Sequence, residues 1–544
     1  MAKRILSFVL ALAAIFSLAA CSSGGSDDPG DTASGGKTRN DTNQVTAADD
    51  IFSLNCNRNY SFNPMKATNT NNQLVCCLIY ENMVEVDSVY NVNSSVVDSW
   101  SSDDGITWTL KVDNGHTFHN GAAVTASDVA YSLRCAKGSE RFSARLAAVA
   151  DAQPADDETV TVTLSQANML FPMLLSVPVI QYGTYEQTYP GGSGPYMYSS
   201  DYTSLVAFDK YKSAATLPID TIYLKEYSGT EATISAFADS LIDVVVNDPS
   251  SVTDIGFGSA NDIRSFNTTN MHYIVLNNGS TECSKEFFRF AMNYAFDREY
   301  VVGQLGGYAA AATLPINPSS SLYNEKYARQ FDYDLNMVQK KLSEAGMKDY
   351  DSDGYLELKS GDSVTDFNIS FLVYSGSSAK VNAAKRFADE MKSIGIEVTV
   401  NKQDWNNYCA ALDAGNFDMA YCEVRLNADF DPSRLLATGG SLNYSNVADS
   451  QLDKLIADYL AADSHGRSEA RDNMVAYIAN KAYIVPLCFE RHQLISHRGV
   501  IEGAKANENN PMCGIASWTI HMDAMVVAPT PTPTPAAETE EKKQ

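Results

Sequence analysis

Residues 377–380 spell Ser-Ser-Ala-Lys, the S-x-x-K pattern in which a serine attacks an acyl group beside a lysine. The companion motifs of that enzyme class, S-D-N and K-T-G, do not occur downstream. The stretch lies between an alternating apolar pattern over residues 369–373 and a helical pattern that includes Val381 and Ala384. A serine at such a boundary is expected to cap the helix. We therefore interpret the stretch as a helix start and not as an acyltransferase site.

An acidic stretch offers a second candidate chemistry, the binding of calcium. Asp349, Asp351 and Asp353, followed by Gly354, have the spacing that opens an EF-hand loop, and Glu357 stands at the ninth position. The twelfth position is Ser360, where an EF-hand requires a bidentate glutamate. A turn held by its own aspartate side chains is the alternative that the missing ligand favours. We assign no metal to the chain from its sequence, and calcium at this turn stays open.

Thiol and histidine chemistry is not indicated. The cysteines are scattered and include no C-x-x-C pair, which is typical of buried thiols, although one or two disulfides stay open. Beyond Cys21 they are Cys56, Cys76, Cys77, Cys135, Cys283, Cys409, Cys422, Cys488 and Cys513. The seven histidines are dispersed, and no nucleophile–base set stands out. The sequence therefore predicts a protein that is not an enzyme and needs no cofactor.

Size and charge limit the class of protein. A chain of 544 residues is too long for one core, so two or more lobes are expected. Its formal net charge is −26, whereas a nucleic-acid partner requires a basic face. We therefore predict no nucleic-acid partner.

The first 48 residues carry export signals. Residues 1–20 combine Lys3 and Arg4 with a short apolar run, which is typical of a signal peptide. The sequence Leu-Ala-Ala-Cys that ends at Cys21 resembles a bacterial lipobox, which implies lipidation of Cys21 and anchoring to the outer face of the cell membrane. Residues 21–48 are predicted to form a flexible tether. At the other end, residues 528–544 are predicted to be a disordered Pro/Thr and charged tail.

Residues 98–134 carry the clearest local pattern. Ile106, Trp108, Leu110 and Val112 alternate with polar residues, which predicts a half-buried strand. Turns at 113–115 and 120–121 enclose a predicted short strand, and a helix is predicted to begin after Thr125, with Asp128 at its third position.

The amino-acid sequence of this stretch closely resembles the signature of the family 5 solute-binding proteins, the extracytoplasmic receptors of ABC importers. Further blocks resemble the same family and lie at residues 62–84, 192–196, 289–298, 443–449 and 484–487. In the helical block we interpret Arg289 and Asp297 as a structural ion pair or helix cap, not as catalytic groups. The resemblance implies an α/β, two-lobe, periplasmic-binding-protein-like fold (type II, cluster C) with an extra subdomain and a hinge between the lobes.

Two strand–helix–strand patterns far apart in the chain agree with two α/β lobes. One lies at 222–246 and the other at 396–418, and each predicts a unit of parallel sheet. We expect an N-terminal lobe over 49–265 with an inserted subdomain at about 66–189, a second lobe over 266–491, and a return to the first lobe over 492–527.

The resemblance also implies ligand-binding residues. Residues 427–432 resemble the family segment whose aspartate takes the ammonium of a peptide, and this places Asp429 in that role. Asp431, before Pro432, fits a helix cap, which leaves Asp429 free for a ligand. Trp405 matches the family's pocket tryptophan, and Arg425 adds a cation beside the segment.

The function implied is capture of a small solute, with a peptide as the first candidate, and delivery to an ABC permease and its ATPase. The chain has no Walker motif, so it would be the receptor alone, and we expect a monomer. A nickel chelate, a sugar or an anion are alternative solutes. A surface sensor or adhesin of the same fold and a secreted enzyme are alternative functions.

Overall fold

One mixed sheet of eleven strands passes through both lobes of the protein. The structure is a computed structural model that describes residues 51–251, 257, 261–360 and 362–522. The predicted signal peptide, the lipidation site at Cys21, the tether and the C-terminal tail lie outside the described residues. No helix of the described residues is long and apolar enough to cross a membrane.

The described residues from 51 to 247 form eleven strands and three α-helices. In chain order they are β1 (Phe52–Cys56), α1 (Thr70–Ile79), β2 (Val84–Val86), β3 (Val92–Ser94), β4 (Val97–Ser101), β5 (Thr107–Val112), α2 (Ala126–Gly138), β6 (Val149–Pro154), β7 (Thr159–Leu164), β8 (Tyr196–Tyr198), β9 (Ser204–Ala207), β10 (Thr221–Glu226), α3 (Thr230–Ala238) and β11 (Val244–Asn247).

The rest of the described chain adds ten strands and nine helices. They are β12 (Asn261–Leu276), α4 (Glu286–Met292), α5 (Arg298–Gln304), β13 (Ala309–Ala311), α6 (Glu325–Ala328), α7 (Leu335–Glu344), β14 (Glu357–Ser360), β15 (Ser363–Asp366), β16 (Asn368–Tyr374), α8 (Ser378–Ser393), β17 (Glu397–Gln403), α9 (Trp405–Ala414), β18 (Met419–Arg425), α10 (Ser433–Leu436), α11 (Ser450–Ala461), α12 (Arg467–Lys481), β19 (Ile484–His497), β20 (Ile501–Glu502) and β21 (Thr519–Ile520).

Both predicted strand–helix–strand units are confirmed. Strands β10 and β11 lie parallel on either side of β1, and α3 connects them. Strands β17 and β18 lie parallel on either side of β16, and α9 connects them. After the first helix Ser240 has a φ of 55°, and after the second Gly415 has a φ of 67°, so both residues adopt the left-handed conformation that ends a helix.

The two long strands β12 and β19 join the lobes. The first half of β12 pairs with the second half of β19, which also pairs with β11 in the first lobe. The second half of β12 pairs with the first half of β19 and with β18 of the second lobe. Between these halves the β12–β19 pairing shifts register twice, between Asn267 and Met271 and between His272 and Tyr273. The two-lobe α/β fold is thus confirmed, and the residue boundaries given for the lobes stay a prediction.

The stretch 98–134 folds largely as its pattern predicts. Strand β5 lies in a separate antiparallel sheet of order β4-β5-β7-β6, with Trp108, Leu110 and Val112 buried. Helix α2 begins after Thr125, whose backbone N–H donates to the Asp128 carboxylate at 2.9 Å. Two details are wrong. Ile106 is exposed because it precedes β5 in the turn bound by Asp104, and the short strand is only a single bridge between Thr117 and Ala123.

Candidate functional site

The three residues predicted to bind a ligand all follow the carboxyl ends of parallel strands. Trp405 comes two residues after β17, Arg425 is the last residue of β18, and Asp429 lies in the loop that follows β18. Since β16, β17 and β18 run parallel, these ends meet at one edge of the sheet, where ligands of α/β folds bind. The fold therefore brings the three residues to one side of the second lobe.

Asp429 is buried and already holds partners within the protein, so the expectation of a free carboxylate is wrong. One carboxylate oxygen accepts from the Asn168 side-chain amide at 2.9 Å, and the other accepts from the backbone N–H of Asp431 at 3.3 Å. The Tyr459 hydroxyl donates to the Asp429 carbonyl at 2.6 Å. Burial, together with the charge of Asp431, raises the pKa of Asp429 to about 7. A fixed cation beside Asp429 would offset this desolvation.

Asp431 accepts from the Ser433 backbone N–H at 2.8 Å, as a helix cap does. The helix starts one residue later than predicted, with Pro432 before α10 instead of inside it. The loop between β18 and α10 is therefore fixed at Asp431, and Phe430 within it has a φ of 52°. This left-handed residue turns the chain between the two aspartates.

Trp405 is the first residue of α9 and is partly buried among other aromatic rings. Its ring stacks on Tyr408, with centroids 5.8 Å apart, and meets Tyr374 edge-on at 5.4 Å. The Tyr408 hydroxyl donates to the carbonyl of Tyr421 on β18. Packing of this kind fixes an aromatic surface at the strand ends.

Arg425 forms an ion pair with a residue that the sequence pattern did not reveal. Its Nε lies 2.8 Å from Oε1 of Glu508, and Oε2 of the same carboxylate accepts from the backbone N–H of Thr269. The Arg425 side chain remains 55% exposed, whereas that of Glu508 is 12% exposed. Glu508 also accepts from the Thr269 hydroxyl, so it keeps donors within the protein if the half-exposed Arg425 turns to a ligand.

A narrow cavity lies between segments from distant parts of the chain, among them the loop after β18. The room for the centre of a water molecule is about 10 Å³, enough for about one water. Residues that line it come from the first part of the chain, from β12, from the loop after β18 and from the C-terminal segment: Val86, Asp87, Tyr90, Arg145, Met173, Asn267, Thr269, Leu426, Ala428, Glu508 and Asn509. None of the three predicted residues, Trp405, Arg425 and Asp429, is among them, although Leu426 and Ala428 of the same loop are. A solute larger than water does not fit in this space, so its binding requires the lining segments to move apart.

Arg145 is the cation of this cavity that sequence reasoning missed. It donates to the carbonyl of Ser176 at 3.0 Å and to the Asn509 side chain at 3.0 Å. Burial, with the charge of Arg425 nearby, lowers the pKa of Arg145 to about 10, and Glu508 and Asp429 oppose that shift. A single arginine after a helix carries no motif, and its partner lies 364 residues away. Only the fold reveals the site.

The enzyme-like pattern at 377–380 is a helix start, as predicted. The Ser377 hydroxyl accepts from the Lys380 backbone N–H, and α8 begins at Ser378. The ammonium of Lys380 lies 2.6 Å from Glu423. Burial alone would lower the pKa of Lys380, but the Glu423 carboxylate raises it, which is the reverse of what a lysine base needs.

The other charged helix block is structural as well. Asp297 caps α5 by accepting from the Tyr300 N–H, and it pairs with Arg386 at 2.7 Å. Arg289 does not pair with Asp297; it donates to the carbonyls of Lys481 and Cys283. Both groups therefore hold helix ends in place.

Comparison with known proteins shows to which family the chain belongs. The model of "Bacterial extracellular solute-binding proteins, family 5 Middle" matches residues 91–445. The chain belongs to this family. It is 24% identical to the oligopeptide-binding protein AppA of Bacillus subtilis, over 94% of this chain and 97% of that one.

Two solved structures share the fold. CtaP of Listeria monocytogenes, an ABC transporter substrate-binding protein, superposes with a TM-score of 0.69 at 19% identity and covers 87% of this chain and 100% of its own. The nickel ABC transporter protein of Bacillus halodurans gives a TM-score of 0.68 at 21% identity, over 85% and 97% of the two chains. The family match identifies this chain as an extracellular solute-binding protein.

Proposed function

We propose that this solute-binding protein captures a peptide between its lobes and delivers it to the permease of an ABC importer. The observation that carries the proposal is the presence of both signs of charge in one cleft. Arg145 lines the cavity, and the charges of Arg425, Glu508 and Asp429 all act on its guanidinium group. A peptide carries an ammonium and a carboxylate, and it can satisfy both. The relationship to AppA over nearly the whole chain supports the same ligand class.

The ammonium of the peptide would replace a neutral donor at Asp429. Asn168, which now donates to that carboxylate, belongs to the first part of the chain, whereas Asp429 belongs to the second lobe. A charged hydrogen bond in a desolvated site is stronger than a neutral one. The ligand therefore gains most at Asp429 when the lobes close around it, and closure needs this preference.

Arg425 would take the carboxylate or a backbone carbonyl of the peptide, and Trp405 would contact its body. The Arg425 side chain is half exposed, and the largely buried Glu508 keeps its two bonds from Thr269 when the pair opens. The aromatic surface of Trp405, Tyr408 and Tyr374 lies at the same edge of the sheet. Because the closed cavity holds about one water, binding requires a hinge motion that exposes this edge.

Calorimetry with a peptide mixture and then with single peptides tests the assignment. Asp429→Asn is expected to weaken peptide binding by about tenfold or more, since an unpaired buried ammonium costs on the order of 2–5 kcal/mol. Asp458→Asn, an exposed aspartate on α11, is the matched control and should bind as wild type does. If Asp429→Asn binds normally and Arg425→Ala abolishes binding, the ligand is an anion and the peptide assignment falls.

A thermal-shift screen separates the alternative functions. A shift with nickel chelates or sugars and none with peptides would identify another solute. No shift with any of these classes would favour a surface sensor or adhesin, and a reproducible turnover product would favour an enzyme.

We also propose that the mature protein is a monomer anchored through a lipid on Cys21 to the outer face of the cell membrane. The lipobox resemblance supports this anchor, and the long polar tether after it would give the lobes freedom to reach the permease. Light scattering of the purified protein measures the oligomeric state, and a stable dimer would contradict the monomer.

A further inference from the structure

The loop between α7 and β14 gathers four carboxylates that the peptide cleft does not use. They are Asp349, Asp351, Asp353 and Glu357, and one carboxylate oxygen from each lies within 4.8 Å of the others. The three aspartates are exposed and Glu357 is buried. Like charges at this spacing repel one another unless a cation lies between them.

A backbone bridge brings Glu357 back to the aspartates. The Glu357 N–H donates to the Lys348 carbonyl at 3.1 Å, and the Lys348 N–H donates to the Glu357 carbonyl at 3.2 Å. In an EF-hand the last ligand comes from an exiting helix at position twelve. Here the chain enters β14 instead, so the ninth residue closes the loop, and the missing twelfth ligand no longer argues against a site.

The buried carboxylate of Glu357 is a second, independent observation that points to a bound cation. Its relative exposure is 1%, and its Oε2 accepts from the Tyr350 backbone N–H at 2.6 Å. Its Oε1 is buried and has no hydrogen-bond partner. Among the ion pairs of the described residues, no lysine, arginine or histidine pairs with any of the four carboxylates. A buried carboxylate oxygen without a donor or cation is costly.

A turn stabilised by its own side chains explains only part of this arrangement. Asp349 accepts from the N–H groups of Ser352 at 2.6 Å and Gly354 at 3.0 Å, and both of these residues have positive φ, 70° and 96°. Asp353 accepts from the Tyr355 N–H at 2.8 Å. These bonds orient the aspartates, as an Asx turn does, but they give Glu357 no partner.

We propose that this loop binds a calcium ion through Asp349, Asp351, Asp353 and Glu357. Calcium takes six to eight oxygen ligands in flexible geometry; the four carboxylates supply four of them without nitrogen or sulfur, and water supplies the rest. Magnesium demands a stricter octahedron and keeps its waters, so the site discriminates against it. Extracellular calcium modules bind in the 10⁻⁴–10⁻³ M range, which suits a family found outside the cytoplasm. The ion ties the end of α7 to β14 and stabilises the second lobe.

Terbium luminescence and thermal unfolding of the full chain test the proposal. Tyr350 and Tyr355 lie in the loop and are expected to sensitise bound Tb³⁺, and calcium should displace it. Calcium at about 5 mM should raise the melting temperature by a few degrees, and magnesium at the same concentration should not.

Glu357→Gln keeps an acceptor for the Tyr350 N–H and removes the charge; it should lose both the luminescence and the calcium shift. Asp351→Asn keeps its bond from the Asp353 N–H and should weaken both at least tenfold. Asp103→Asn, in an exposed acidic turn, is the control and should change neither. The proposal is overturned if wild type shows no calcium shift, if magnesium acts equally, or if both loop variants respond as wild type does.

Discussion

Nε2 of His272 lies 2.6 Å from Oε1 of Glu490, and both side chains are at most 2% exposed. His272 belongs to β12 and Glu490 to β19, at the point where these two strands pass from one lobe to the other. Glu490 also accepts from Ser250, which follows β11 of the first lobe, at 2.6 Å. On the other side, Nδ1 of His272 is 3.0 Å from the Tyr421 hydroxyl on β18. One buried carboxylate thus links both lobes at their crossing.

Glu490→Gln is expected to destabilise the protein by about 3 kcal/mol or more at neutral pH, because it breaks a buried pair on one side. Burial alone would raise the pKa of Glu490, but the hydrogen bond and charge of His272 lower it well below its ordinary value. Stability from Glu490 is therefore present above the unfolded pKa, near 4.5, and lost as pH falls toward the folded pKa.

Urea unfolding at a series of pH values measures this contribution. The gap between wild type and Glu490→Gln should narrow in acid. Glu502→Gln, which alters an exposed His–Glu pair with His521, is the control and should have a small effect at every pH. Equal effects of the two variants would contradict a structural role for the buried pair.

The sequence predicted the lobes because their units are local. Alternating strands, Gly415 at a helix end and Thr125 at a helix start are set by neighbouring residues, so pattern and resemblance find them. The contact between His272 and Glu490 was not predicted because the two residues are 218 positions apart in the sequence. Their meeting depends on the shifted β12–β19 register, which no local pattern encodes.

Only the residues of the second lobe that were proposed to bind the ligand were predicted from the sequence. Trp405, Arg425 and Asp429 come from segments that resemble the family, and the fold places all three at one edge of the sheet. Their partners Asn168 and Glu508 lie in polar loops without a motif. The carboxylate of Asp429 was expected to be free, since the contact with Asn168 spans 261 residues. Long-range pairing of this kind follows from lobe closure and not from local sequence.

Gly194 lies in the turn at residues 192–196, one of the blocks that resemble the family, and a substitution there tests how closely this turn is packed. A Cβ at this position would lie 2.5 Å from the Leu78 carbonyl oxygen and 2.6 Å from the Ile79 carbonyl carbon, both of them backbone atoms. Gly194→Ala is therefore expected to cost about 1–3 kcal/mol, as overpacking does. Gly138→Ala, in helix α2 with open space around it, should be neutral or slightly stabilising. Thermal unfolding of both variants checks the contrast, and equal melting temperatures would contradict it.

Cys21→Ala tests the predicted lipid anchor. Without the thiol no diacylglycerol can be attached, so the variant should leave the membrane fraction for the soluble fraction or the medium. Fractionation followed by immunoblotting measures the distribution, and Cys77→Ala is the control, since that cysteine lies in α1 of the folded body. A Cys21→Ala protein that stays as membrane-bound as wild type would show that the lipobox interpretation is wrong.

The last prediction concerns the pH dependence of peptide binding. Burial raises the pKa of Asp429 to about 7, so below that pH the protein without ligand holds a proton there. A peptide ammonium requires the ionised carboxylate, and binding must then release this proton. Affinity is expected to rise as pH increases from about 5 to 8, by up to tenfold per pH unit below the pKa.

The raised pKa of Asp429 also predicts how this residue changes the stability of the protein without ligand. Because the folded pKa is raised, the protonated form favours the folded state, and stability falls as pH rises from the unfolded value of 3.8 to about 7. Asp429→Asn removes this loss, so the variant should match wild type in acid and unfold at a higher temperature at pH 8. It should also bind peptide weakly and with no pH dependence. Calorimetry in buffers of different ionisation enthalpy counts the protons released on binding at pH 6. Release of no proton by wild type, or an unchanged pH profile in Asp429→Asn, would remove Asp429 from the site.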